Sequence, residues 1–108
     1  MGGRGRPSLG YYLHLGRQGK HIIGHNNYVE GRSIVTISVA KIEELFKKYH
    51  GTGEMFGNKE TIDFHVIIGI YKDKEGTIIA PTTRGTIHYR EDGGYHIVPA
   101  LPIEYLTI

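Results

Sequence analysis

The segment Thr82–Val98 leaves this chain little freedom in how it folds locally. It reads as two β-strands joined by Glu91-Asp92-Gly93, a three-residue loop with glycine at the position that needs φ > 0. That register pairs Arg90 with Gly94 and Tyr89 with Tyr95, and it sets His88 directly across from His96. Directly opposed residues share a face of the sheet a few ångströms apart. A two-residue Asp92-Gly93 turn would instead place the two imidazoles on opposite faces, because a one-residue slip flips every side chain.

Around this hairpin the chain reads as α+β. Leu9–Leu15 suits a short strand, and the stretch from Gly16 to Gly31 an ordered loop or short helix. Val39, Ile42, Leu45, Phe46 and Tyr49 repeat at helical spacing, with Ser38 as N-cap, Lys47 and Lys48 at the C-terminal end and Gly51 to stop it. Thr52–Glu60 is a glycine-rich loop. Thr61–Tyr71 reads as one long strand with Ile62, Phe64, Val66, Ile68 and Ile70 on one face. A turn at Asp73–Gly76 leads to Thr77–Ala80, and Pro81 marks a break, a bulge or an edge. Pro99 and Pro102 turn the end of the chain into a tail along an edge. Residues 1–8 are expected to be a disordered arm or junction, and 9–108 a single domain.

No cysteine is present, so disulfides and thiolate chemistry are excluded. No apolar run approaches the roughly 18 residues of a membrane span. The net charge is only +2, but it is unevenly spread. Up to Arg32, five basic residues stand against Glu30 alone, a local +4, while the remaining eight basic and ten acidic residues give −2. A basic N-terminal third suits an anionic partner such as a nucleic-acid backbone.

Four of the seven histidines fall in two clusters, His88/His96 and His21/His25. The second lies in Lys20-His21-Ile22-Ile23-Gly24-His25-Asn26-Asn27-Tyr28, with Arg32-Ser33 shortly after. Imidazole serves as acid and base near neutrality. A metal-independent ribonuclease needs a base for the ribose 2′-OH, an acid for the leaving 5′-oxygen, and cations or donors for the developing charge. Histidines with Lys, Arg and Thr supply that set. His21 and His25 also have the HxxxH spacing of helical zinc sites. Ile22 stands where zinc proteases carry Glu, Gly24 opposes a helix, and a third ligand such as His96 would be required.

Several of these segments resemble a known family. Gln18–Tyr28 and Gly31-Arg32-Ser33 look like the opening of the polymorphic toxin type 50 domain, and Lys47–Gly53 resembles the segment that follows its helix. Lys59-Glu60, Asp63-Phe64 and Gly69–Tyr71 are also similar, and Pro81–Tyr89 with His96–Ala100 resembles its closing hairpin. The resemblance is collinear from about Arg17 to Pro102. It implies a C-terminal toxin domain of bacterial polymorphic secretion systems or phage-associated proteins. The implied fold is the barnase/EndoU/colicin-like ribonuclease class, a helical N-terminal part followed by a four-stranded or slightly larger antiparallel sheet.

Carried over by position, the implied active residues are Lys20, His21, His25, Arg32, Thr83, Arg84, His88 and His96. We assign His21, His25, Thr83, His88 and His96 to catalysis, and Lys20, Arg32, Arg84 and Tyr95 to substrate contact, with no metal or other cofactor. Leu101 departs from the pattern where the family often carries a basic residue. The expected reaction is cleavage of tRNA or another structured RNA through a 2′,3′-cyclic phosphate. The expected setting is the cytoplasm of a target cell, with a monomeric domain blocked by an acidic immunity protein. The rival reading is a non-catalytic nucleic-acid- or protein-binding module.

Overall fold

The structure is a computed structural model that describes residues 10–106. The expected arm at residues 1–8 lies outside the described residues. In chain order the elements are β1 (Tyr12–Leu13), α1 (Leu15–Gln18), a 3-10 turn (Gly19–His21), β2 (Ile34–Val35), α2 (Val39–Tyr49), β3 (Glu54–Phe56), β4 (Lys59–Asp63), β5 (Gly69–Lys72), β6 (Ile79–Thr82), β7 (Arg84–Tyr89), β8 (Gly94–Pro99) and a closing 3-10 turn (Ile103–Tyr105). They form a five-stranded sheet ordered β1-β8-β7-β4-β3 and a three-stranded sheet ordered β2-β5-β6. Within the larger sheet β8, β7, β4 and β3 are mutually antiparallel, and β1 joins β8 in parallel. The α+β class and the four antiparallel strands agree with the sequence reading; the second sheet is new.

The β7–β8 hairpin adopts the expected register. Gly93 sits at φ 95°, the Gly93 N–H donates to the Arg90 carbonyl at 3.1 Å, and the Arg90 N–H to Gly94 at 2.8 Å. The Asp92 carboxylate locks the loop by accepting the Gly94 N–H at 2.9 Å and the Tyr12 hydroxyl at 2.7 Å. His88 pairs with His96 and Tyr89 with Tyr95.

Alternation along these strands divides two environments. Ile87, Ile97, Tyr95 and Tyr89 face α2, where Ile42, Leu45 and Phe46 are buried and the Phe46 ring lies flat on Tyr95 at 3.7 Å. His88, His96 and Thr86 occupy the opposite face. Helix α2 forms as read, with the Ser38 hydroxyl accepting the Lys41 N–H at 3.1 Å.

The long strand expected over Thr61–Tyr71 is instead two strands in different sheets. The chain leaves β4 at Asp63, whose carboxylate accepts the His65 N–H at 2.8 Å while His65 takes φ 63°. It re-enters as β5 at Gly69. Ile62, Phe64 and Ile68 stay buried, so the hydrophobic alternation survives the break, but Val66 turns outward. Pro81 lies within β6, an edge strand of the smaller sheet, where a missing N–H costs no ladder bond. Pro99 is the last residue of β8.

Candidate active site

The edge of β8 is what positions the N-terminal loop. Its first part is covered by β1, with the His14 N–H donating to the Tyr95 carbonyl at 2.8 Å. Beyond that point the fully buried Gln18 side chain continues the pairing. Its Nε2 donates to the Ile97 carbonyl and its Oε1 accepts the Ile97 N–H, both at 2.8 Å. Gln18 therefore imitates one residue of a neighbouring strand and fixes the 3-10 turn that carries Lys20 and His21.

His21 is buried, and its Nδ1–H donates to the Ser33 carbonyl at 2.9 Å. That bond sets the tautomer and leaves Nε2 as the free lone pair. Ser33 is itself pinned to β5: its hydroxyl accepts the Lys72 N–H at 2.9 Å. The His21 ring stacks on His96 at 6.1 Å between centroids, and His96 stacks on His88 at 4.7 Å. Three imidazoles, one from the loop and two from the hairpin, thus form a column across the outer face of the sheet. Lys59 of β4 lies directly across from His88 on its other side.

Burial and mutual repulsion lower the proton affinity of all three rings. Desolvation is the first cause holding His88 down to about 4, with Lys59 and His21 adding to it. Desolvation again leads in holding His96 down to about 3, followed by His88, His21, Arg17 and His14. His21 is lowered by burial against the Ser33 carbonyl, which favours its charged form, with Arg32 and Lys20 also lowering it. The His96 Nδ1 is buried without a hydrogen-bond partner, so Nε2 is the atom that can meet a substrate.

Two clefts, of about 810 and 700 Å³, meet along Arg17, His88 and His96. The first is strongly basic: Arg17, Lys20, Arg32, Lys72 and Lys74 stand against Glu30 and Asp73, and His21 lies in its wall. The second has Arg17 and Arg90 balanced by Glu91 and Asp92.

Of the nine expected site residues, Lys20, His21, Arg32, His88 and His96 are brought together here. The other four are not. Tyr95 is corrected to a core residue: it is 3% exposed, stacks on Phe46, and points to the face opposite His96. Arg84 lies four residues along β7 from His88, about 13 Å at the rise of a strand, and donates to the Leu101 carbonyl at 2.6 Å. Thr83 adjoins it at the same distant end, where the Asp63 carboxylate is held low first by the His65 N–H and further by the Thr83 hydroxyl. His25 lines neither cleft. Its Nδ1 accepts the Asn27 N–H at 3.0 Å, and its ring packs so closely on Gly19 that any side chain there would collide with it. His21 ends a 3-10 turn and His25 follows Gly24 at φ 90°, so the HxxxH pair is not helical. Among the described residues no group of three His, Cys, Asp or Glu could hold a metal ion, and no helix is long and apolar enough to cross a membrane.

The sequence reading missed Arg17, Gln18, Ser33 and Lys59. The register given by the hairpin points to no partner strand, so nothing in the sequence marks Lys59 as the neighbour of His88. Ser33 was visible only as part of a motif. A model of the bacterial toxin 50 family matches residues 13–99. A search of curated proteins finds no match.

Proposed function

Given that the chain belongs to the bacterial toxin 50 family, we propose that this toxin domain is a metal-independent endoribonuclease whose chemistry resides in the His21–His96–His88 column. The carrying observation is that column itself, three stacked rings at the seam of a basic cleft. A phosphodiester lying in the cleft is attacked by its own ribose 2′-oxygen. His21 Nε2 takes the 2′-OH proton as the O2′–P bond forms. The P–O5′ bond breaks, and His88 in its protonated form gives its proton to the departing 5′-oxygen. The product ends are a 2′,3′-cyclic phosphate and a 5′-OH. His96 lies between them and donates from Nε2 to a non-bridging oxygen, while Lys20, Arg32 and Arg17 neutralise the charge that builds on phosphorus.

The basic cleft also supports the partners proposed for the domain. It suits a structured RNA such as tRNA, and an immunity protein with an acidic surface would block it by electrostatic complementarity. Delivery into the cytoplasm of a target cell as the C-terminal part of a larger protein, and a monomeric free state, belong to the same reading.

The test is incubation of the purified domain with total RNA, with and without EDTA, followed by end-group analysis. Cleavage that survives EDTA and leaves cyclic-phosphate ends is expected. His21→Ala and His88→Ala should each lower the rate by about 10²–10⁴-fold. Intact RNA would turn the reading to a binding module, and EDTA-sensitive cleavage would revive a metal-dependent one.

A further inference from the structure

Nucleic acid has two chemically distinct parts, an anionic backbone and neutral bases, and the two clefts differ in the same way. The cleft lined by Lys20, Arg32, Lys72 and Lys74 carries a clear positive excess. Across the His88/His96 ridge, the second cleft contains equal numbers of guanidinium and carboxylate groups. A cleft without net charge has little to offer a phosphate, but paired donors and acceptors suit the edge of a base. Resting on the ribonuclease reading, we propose that the cleft lined by Arg90, Glu91 and Asn58 is a nucleobase pocket that selects guanine beside the cleaved phosphate.

The choice of guanine follows from the groups present. A carboxylate offers two parallel acceptors, and among the four RNA bases only guanine presents two adjacent N–H donors, N1–H and N2–H, on one edge. Adenine and cytosine place a ring acceptor beside their amino group, and uracil flanks its N3–H with two carbonyls. Of the two carboxylates lining the cleft, Glu91 is the one left for this, because Asp92 already accepts from Tyr12 and Gly94. Arg90 bonds Asp92 through Nε at 3.3 Å, which orients the guanidinium and leaves its terminal nitrogens for an O6/N7 edge.

The pocket floor is rigid. The Asn58 side chain donates to the Tyr89 carbonyl at 3.0 Å, and the Tyr89 N–H donates to the Asn58 carbonyl at 2.9 Å, which fastens the β3–β4 turn to the start of the hairpin loop. The Asn58 Oδ1 then remains as a further acceptor on that wall. Because the loop carrying Glu91 is fixed by Gly93 and Asp92 rather than by Glu91 itself, a change at Glu91 leaves the hairpin intact.

The experiment has two readouts. Binding of the four ribonucleoside 3′-monophosphates is measured by chemical-shift titration, and cut sites are mapped on an RNA of mixed sequence. The guanine nucleotide is expected to bind about tenfold tighter than the other three. Glu91→Gln should abolish that preference, and His21→Ala should retain it while losing cleavage. Equal binding of all four, or a Glu91→Gln loss shared equally by all four, would overturn the pocket. A wild-type domain that discriminates bases but cuts no RNA would sink the ribonuclease reading and leave the pocket standing. One that cuts without base preference would do the reverse.

Discussion

Lowering the pH from 7.5 to 5 probes the charge state of the imidazole column through its effect on folding. In the unfolded chain a histidine titrates near 6.5, whereas the folded protein holds His88 at about 4 and His96 at about 3. The folded values lie below the unfolded ones, so between them the unfolded chain binds more protons. The stability from these groups is therefore fully present above pH 6.5 and drains away as the pH falls toward 4 and 3. At pH 5, about 1.5 pH units below the unfolded value, each neutral ring costs about 2 kcal/mol, or about 4 kcal/mol for the pair. Asp63 and Asp92 are both held below their ordinary value of 3.8, Asp92 at about 2, so they titrate under this window and do not contribute within it.

The comparison is wild type against the double variant His88→Gln/His96→Gln, each unfolded in urea at both pH values and followed by circular dichroism. Wild type should lose about 4 kcal/mol more than the variant over this interval. Equal losses would mean that the rings protonate freely in the folded protein. The electrostatic description of the column would then be wrong.

Two further outcomes concern how the site is built. Gln18→Ala leaves the Ile97 N–H and carbonyl without their 2.8 Å partners and should cost about 2–4 kcal/mol; a shift under about 0.5 kcal/mol in a urea titration would remove Gln18 from its strand-like role. At His65, which is exposed and sits at φ 63°, His65→Gly should be more stable than His65→Val by about 1–2 kcal/mol. Neither change should alter RNA cleavage per folded molecule, since the residue lies at the far end of β4 from the column.

What could be read from the sequence was what local chemistry decides. The hairpin register follows from one glycine at positive φ and one aspartate that bonds the loop, and α2 follows from its cap and its apolar stripe. The same register already implied that Tyr95 points inward if His96 points outward, so the assignment of Tyr95 to substrate broke a rule available before the structure. The break between β4 and β5 was hidden for a different reason. Ile62, Phe64 and Ile68 all face the core, so the pattern of buried residues is the same for one strand as for two strands joined by an Asx-type corner. Gln18 was beyond reach because its partner is Ile97, separated by 79 positions. An isolated glutamine gives no hint that its amide will complete a sheet edge.

In the ribonuclease reading proposed above, the column also accounts for why so much cation surrounds rings that would accept and donate protons. Arg17, Lys20, Arg32 and Lys59 all disfavour imidazolium in the free domain, as do the imidazoles themselves. These cations lower the proton affinity of all three rings, and in the proposed mechanism His21 would accept a proton at Nε2, its Nδ1–H being committed to Ser33. What the proposed mechanism would still require is a proton for the leaving oxygen. A phosphodiester bound in the basic cleft would offset the repulsion among these cations, and its negative charge would raise the proton affinity of the rings beside it. In that mechanism, substrate binding and formation of the general acid would be one linked event. Burial first, and then this repulsion, weakens the folded state at low pH, and in the proposed mechanism a bound phosphodiester would relieve the second of the two.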